Sequence, residues 1–300
     1  MNKQELTAMV AEILGSMGSE PMVKGSDYRP KDPGPQPRDQ GYSNGDFVPD
    51  ITALDLRKLY LVENPKQGDA FEKMKRKTPA RLGGGRAGPR YKTLTMLRFR
   101  ADHAAAQDSV FSQVPEDYAA QHHFVPVQTC CKDKDEYLTR PDHGRCFDEE
   151  NQQKIRSAIQ GKPRVQIVVG DGLSSAAILA NAADCLAAME DGLKLRGIET
   201  GVPLFVRYCR VGAGDAVGDI TGCELVCVLV GERPGLVTDK SMSAYITYGP
   251  HTGVSESSRT VVSNIHAQGT PAAEAGAYIA ELIETILKKR VSGVGLHLEG

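Results

Sequence analysis

A large excess of charge of either sign is missing from this chain. Across its 300 residues, 36 Lys and Arg stand against 38 Asp and Glu, a formal net charge of −2, so no whole-chain basicity points to nucleic acid. No apolar run approaches the roughly 20 residues that a membrane-spanning helix needs. The opening Met1-Asn2-Lys3-Gln4-Glu5 lacks the basic-then-apolar pattern of a secretory signal. Neither Cys-x-x-Cys nor His-Glu-x-x-His occurs, so the usual zinc spacings are missing and no metal ligand is assigned. The seven cysteines are odd in number and show no framework spacing. Cys130 and Cys131 are adjacent, and Cys223 and Cys227 are read onto one face of a strand. Free thiols buried in a reducing cytoplasm are the expectation. Gly-x-Ser-x-Gly is absent too, which leaves acyl transfer without a motif. No catalytic residue is assigned.

What the chain does have is an ordinary globular composition, 40% hydrophobic and 25% charged. Residues 1–17 carry Leu6, Val10, Ile13, Leu14 and Met17 in one stripe, the pattern of a short amphipathic helix suited to docking. Residues 18–49 are rich in Gly, Pro, Asp and Arg and read as a disordered linker. Residues 50–162 read as a small α-helical domain. Asp50 is placed as the cap of a helix holding Leu54, Leu56, Leu59 and Leu61, followed by helices over 67–77 and from about Leu94 to Val110. Between them the loop Gly83-Gly84-Gly85-Arg86-Ala87-Gly88-Pro89-Arg90 could cradle an anion or contact a subunit, or be a flexible turn. Tyr137–Arg145 is a second polar loop without fixed chemistry in its spacing.

From residue 163 to 300 the texture changes to strand–turn–helix units. Strands are expected at Val165–Val169, Val202–Tyr208 and Leu225–Val230, with weaker ones at Ala244–Tyr248 and Thr260–Ser263. A helix runs to about Arg196, and another closes the domain over Pro271–Arg290, while Gly218–Thr221 is read as a connecting segment. The alternation predicts an α/β fold, with a Rossmann-like, mostly parallel sheet covered by helices on both faces. Leu225–Val230 is apolar without alternation, the signature of an interior parallel strand. It ends on Gly231-Glu232-Arg233-Pro234-Gly235, and in open α/β sheets ligands bind outside the carboxyl ends of strands.

Gly170-x-Gly172-x-x-Ser175 invites a dinucleotide reading, but the third position is serine and no acidic residue stands at the end of the next strand. Asp171, Ser174 and Ser175 have a plain role as helix caps. From the residues alone, three strand ends offer Asp171, Val211 and Glu232 with Arg233 to a polar organic ligand. A stand-alone nucleotide-binding oxidoreductase and a non-catalytic assembly or scaffold protein remain as alternatives.

Several strings, in order, carry a resemblance over about residues 53–290: Gly85-Arg86-Ala87-Gly88-Pro89-Arg90, Leu97-Arg98-Phe99, Tyr137-Leu138-Thr139-Arg140-Pro141-Asp142, Asp171-Gly172-Leu173-Ser174, Phe205-Val206-Arg207-Tyr208, Leu229-Val230-Gly231-Glu232-Arg233-Pro234-Gly235-Leu236 and Ser263-Asn264-Ile265-His266. They resemble the small subunit of ethanolamine ammonia-lyase. That resemblance implies an adenosylcobalamin-dependent enzyme that turns ethanolamine into acetaldehyde and ammonia by radical chemistry, with a separate large subunit holding the substrate. The small subunit would close the cofactor site, and its cobalamin contacts carry over to Val211, Glu232 and Val261. Cys209 stands where the family usually has glycine, Val261 where it has cysteine, and Gln268 and Ala272 depart from Gly-Gly-Thr-Pro-Pro. No Asp-x-His-x-x-Gly string occurs, so base-on binding of the cofactor is expected. The family also implies that the first 17 residues address the enzyme to a bacterial microcompartment through shell proteins, with the lumen or cytoplasm as its location. Neither a nucleic-acid nor a membrane partner is expected.

Overall fold

The computed structural model describes residues 50–297; the expected helix at 1–17 and linker at 18–49 lie outside the described residues. Two compact units separate among the described residues: Asp55–Pro89, and Ile51–Leu54 together with Arg90 onward. The smaller unit contains the helix α1 (Gly68–Lys75). Its buried Lys75 ammonium donates to the carbonyls of Leu56 (2.8 Å) and Leu82, while the Tyr60 and Phe71 rings pack at a tilt with centroids 5.3 Å apart. The helix expected over Leu54–Leu61 does not form. A 3₁₀ turn at Ile51–Ala53 is all that follows Asp50, and the leucine spacing is spent in extended and turn backbone.

The larger unit is built on a six-stranded sheet. Its strands are β1 (Val125–Gln128), β2 (Val165–Asp171), β3 (Leu204–Arg207), β4 (Leu225–Gly231), β5 (Met242–Tyr248) and β6 (Arg259–Ile265). They lie in the order β1-β3-β2-β4-β5-β6. The first four are mutually parallel, and β5 and β6 continue the sheet antiparallel. The sheet is therefore mixed and mostly parallel. Its helices are α2 (Thr93–Phe111), α3 (Lys134–Thr139), α4 (Glu149–Ala158), α5 (Ser175–Leu195), α6 (Ala213–Thr221) and α7 (Ala272–Lys289), with a single turn at Tyr118–Gln121.

Every residue of β2 and β4 is buried, as an apolar run without alternation requires when both faces are covered. Alternate side chains sort cleanly. Ile167, Val169, Cys227, Leu229, Ala244 and Ile246 pack with Ile178, Leu186, Ile279 and Ile283 of α5 and α7. Val168, Val206, Val226, Val228 and Val230 pack with Ile155 of α4 and Val217 of α6 on the other face. Cys223 belongs to this second face and Cys227 to the first, because Cys223 precedes the strand; the two are not on one face.

Three further expectations are corrected. The stretch 50–162 is not helical throughout: it supplies the edge strand β1, and the boundary at residue 163 is not a break between compact units. β4 is interior, but only β2 flanks it in parallel; β5 is antiparallel. Gly218–Thr221 ends the helix α6, which stops at Gly222 with φ +65°. Two glycines let that helix lie close to its neighbours, since a Cβ on Gly214 would come within 2.6 Å of Val228 and one on Gly218 within 2.7 Å of Pro250. No described helix is long and apolar enough to cross a membrane.

Candidate functional site

The chain runs from β2 to β3 on one side of the sheet and then to β4 on the other. The carboxyl ends of these strands therefore surround the topological switch point, where open α/β sheets take their ligands. A cleft of about 160 Å³ opens there. Its walls are Leu173 after β2, Cys209–Val211 after β3, Val230–Arg233 at the end of β4, Tyr137 of α3 and Tyr245 of β5.

Local backbone choices aim these ends. Tyr208 adopts a left-handed conformation, φ +57°, directly after β3. The turn lets the Cys209 N–H donate to the Asp171 carbonyl (2.9 Å) and the Arg210 N–H donate to the Gly144 carbonyl (2.9 Å). Non-glycine residues pay for that conformation and keep it where the surroundings demand it, often at functional sites. Gly172 is needed for proximity: a Cβ there would stand 2.8 Å from the Cys209 carbonyl and 3.1 Å from the Tyr137 hydroxyl.

Glu232 is the carboxylate that faces the cleft. Its Oε1 accepts from the Ser243 hydroxyl (2.6 Å) and from the Asn264 N–H (3.0 Å), and its own N–H donates to the Ser241 carbonyl. Both side-chain bonds fall on one oxygen, which leaves Oε2 with open acceptor sites. Asn264 reaches Glu232 because it too is left-handed, φ +58°, next to a register shift between β5 and β6. The base of β6 is anchored by a buried ion pair. Arg259 donates to both Asp215 oxygens at 2.7 Å, and that pair raises the already high pKa of the guanidinium.

Arg210 and Arg233 are the cations that line the cleft, and Arg210 is the one tied to its wall. One Nη donates to the Tyr137 carbonyl (2.7 Å) and the guanidinium lies 4.4 Å from the Tyr137 ring centroid, while its buried Nε has no partner. Burial, and then the Glu232 carboxylate, push the Tyr245 phenol pKa up; burial likewise raises the Cys209 thiol and lowers the ammonium of Lys134, which donates to the Gly172 carbonyl at 2.7 Å.

The residues singled out in the sequence separate into groups. Glu232, Val211 and Arg233 line the cleft. Val261 does not: it pairs across β5–β6 with Tyr245, on the same sheet face, and is exposed. Asp171 is 2% exposed with each oxygen bonded inside the protein, Oδ2 to the Val114 N–H (3.0 Å) and Oδ1 to the Ser175 hydroxyl (2.6 Å); it braces the fold and does not line the cleft. Ser174 caps α5, accepting from the Ala177 N–H. Gly231 packs on that same turn, its added Cβ falling 2.8 Å from the Ser174 Cβ, so the end of β4 sits where a dinucleotide phosphate would approach the helix. Arg210 and Tyr245 are not among the predicted site residues, while Cys209 enters only as a departure from the family's glycine and Tyr137 only as part of a matching string. Only their position at strand ends and on α3 gathers them.

The architecture defines a mixed α/β protein with a small cleft at its strand ends, walled mostly by apolar groups among which Arg210, Glu232 and Arg233 bring charge. Comparison places it more narrowly. Residues 68–297 match the family model for ethanolamine ammonia-lyase light chain (EutC). The chain is 54% identical over 297 residues to the ethanolamine ammonia-lyase small subunit of Clostridium perfringens, covering 99% of this chain and all of that protein. It is 53% identical over 296 residues to the corresponding subunits of Clostridioides difficile and Listeria monocytogenes, with the same coverage. The chain belongs to the ethanolamine ammonia-lyase light chain family.

Proposed function

We propose that this chain is the small subunit of an adenosylcobalamin-dependent ethanolamine ammonia-lyase, and that it closes the cofactor site against a large subunit. The observation that carries the reading is the half-used Glu232 carboxylate at the carboxyl end of β4, held by Ser243 and Asn264 with Oε2 uncommitted. The buried, unpartnered Nε of Arg210 in the same cleft adds a donor. An acceptor and a donor lining one cleft suit a primary amide, and the corrin ring is fringed with such amides.

When bound, adenosylcobalamin supplies the radical that abstracts hydrogen from substrate. The residues of this chain would do three things. Glu232 Oε2 would accept an amide N–H, Arg210 would donate to an amide carbonyl, and Val211 with Val230 would cover apolar surface and exclude water. Val261 would contribute through packing on the exposed face of β6 beside Tyr245. The four parallel strands with helices on both faces would then serve as a Rossmann-like platform for the cofactor, for which base-on binding is proposed. The first 17 residues would lead the complex to a microcompartment shell.

Reconstitution tests this reading. The full chain alone should show no turnover of ethanolamine, and acetaldehyde should appear when large subunit and adenosylcobalamin are added. A large subunit as active without this chain as with it would refute the proposal. Quenching of NADH fluorescence by the isolated chain would favour the nucleotide-binding alternative instead.

A further inference from the structure

Seven cysteines are present, and two of them meet away from the cleft's lining residues. The Sγ atoms of Cys130 and Cys146 are 3.1 Å apart, and the Cys130 N–H donates to the Cys146 carbonyl at 2.9 Å. The backbones are thus already side by side, and closing the sulfurs to bonding distance takes a shift of about 1 Å. Cys146 is exposed and Cys130 half-buried, while Cys131, Cys185, Cys209, Cys223 and Cys227 are all buried. An oxidant in solution therefore reaches this pair first. Cys131, the sequence neighbour of Cys130, is 0% exposed and packs against Tyr137 and Tyr208, so it is not available as a competitor.

The pair brackets one wall of the cleft. Residues 131–145 include α3, and four hydrogen bonds tie this segment to the ends of β2 and β3. Lys134 donates to the Gly172 carbonyl, the Tyr137 hydroxyl to the Cys209 carbonyl, the Arg210 guanidinium to the Tyr137 carbonyl, and the Arg210 N–H to the Gly144 carbonyl. A bond between Cys130 and Cys146 would close a ring around this wall and restrict its excursions.

We propose that Cys130 and Cys146 form a reversible disulfide-forming site that staples the Tyr137–Arg210 wall of the cleft under oxidising conditions. The co-reactant is a low-molecular-weight disulfide, RSSR. The exposed Cys146 attacks as thiolate, its proton going to solvent; a Cys146–SR bond forms, the RS–SR bond breaks and one RS⁻ departs. Cys130 then loses its proton to solvent, its sulfur attacks Cys146 and the second RS⁻ departs. In sum, two protein thiols and RSSR give one protein disulfide and two RSH, the protein oxidised by two electrons and RSSR reduced by two. Cys146 is the entry point because it is the exposed member of the pair, and Cys130, half-buried with its thiol raised by burial, is left to attack second, from 3.1 Å away.

The test treats the full chain, purified with thiols reduced, with oxidised glutathione at neutral pH, followed by alkylation, intact mass and peptide mapping. The expected product has lost two hydrogens, carries no glutathione, and yields one linked peptide pair, Cys130 with Cys146; dithiothreitol restores all thiols. Cys146→Ser should abolish the link, and Cys131→Ser should leave it unchanged. Amide hydrogen exchange over residues 131–145 should slow on the order of tenfold in the oxidised chain. A stable glutathione adduct on Cys146, a link between Cys130 and Cys131, or no loss of thiols would overturn the site. A correct link with unchanged exchange would overturn the staple.

Discussion

Two carboxylates stand at the ends of neighbouring strands in one sheet, and they are spent in opposite ways. Asp171 closes β2 with both oxygens bonded inside the protein and Arg207 3.8 Å away. Glu232 follows β4 with two bonds gathered on one oxygen. The first is spent within the fold, and the second is the one proposed to meet a ligand. Strand ends are thus not equivalent sites merely because each carries an acid. Each accepts two bonds, and what differs is that Asp171 is buried with both oxygens engaged while Glu232 lines the cleft with both bonds on one oxygen.

The largest effect expected from this contrast is on folding. Asp171→Ala removes acceptors from the Val114 N–H and the Ser175 hydroxyl in a buried place, and should cost about 3 kcal/mol in urea unfolding. A loss below about 1 kcal/mol would erase the distinction between the two acids. Next comes Arg210→Met, which keeps the apolar stem but drops the guanidinium. Stability should change by about 1 kcal/mol or less, since the unpartnered Nε no longer needs burying while the Tyr137 carbonyl loses a donor. Adenosylcobalamin affinity of the complex should fall about tenfold, worth about 1.4 kcal/mol.

The smallest effect comes from a second orphan placed in the core. The Tyr118 hydroxyl is buried without a partner, away from any cleft-lining residue. Tyr118→Phe should leave stability unchanged or raise it by up to about 1 kcal/mol, with no effect on ligand binding. Burial lifts this phenol from its ordinary 10.0 to about 12. The folded chain then holds a proton that the unfolded chain releases, so its contribution is complete below pH 10 and is lost as pH rises towards about 12. The wild type should lose stability relative to the Phe variant across that window. Parallel curves would show that the phenol titrates alike in both states.

Much of the frame was legible because its signal is local. The unbroken Leu225–Val230 run announced a strand covered on both faces, and of the three cap candidates Asp171, Ser174 and Ser175 it is Ser174 that caps α5. The strand β1 was hidden because four residues with a proline carry little periodicity. Pro126 fits an edge position, and the Gln128 N–H is taken by the Asn151 side chain. α6 was hidden by Gly214 and Gly218, which look like breakers but serve close packing. Leu54–Leu61 misled in the other direction, since leucine spacing alone did not make a helix. At the site, Glu232 could be picked out because it follows the strongest strand. Arg210, Tyr137 and Tyr245 could not, since register and a left-handed Tyr208 bring them together.

The most direct test compares the two acids by ligand affinity. The reconstituted complex is titrated with adenosylcobalamin, followed by absorbance, for wild type and for Glu232→Ala, with unfolding curves measured on the same chains. Glu232→Ala should show a 10- to 100-fold weaker Kd, about 1–3 kcal/mol, with stability lowered by about 1 kcal/mol or less. An unchanged Kd, or a loss of affinity that only mirrors a loss of fold, would contradict a ligand role for Glu232.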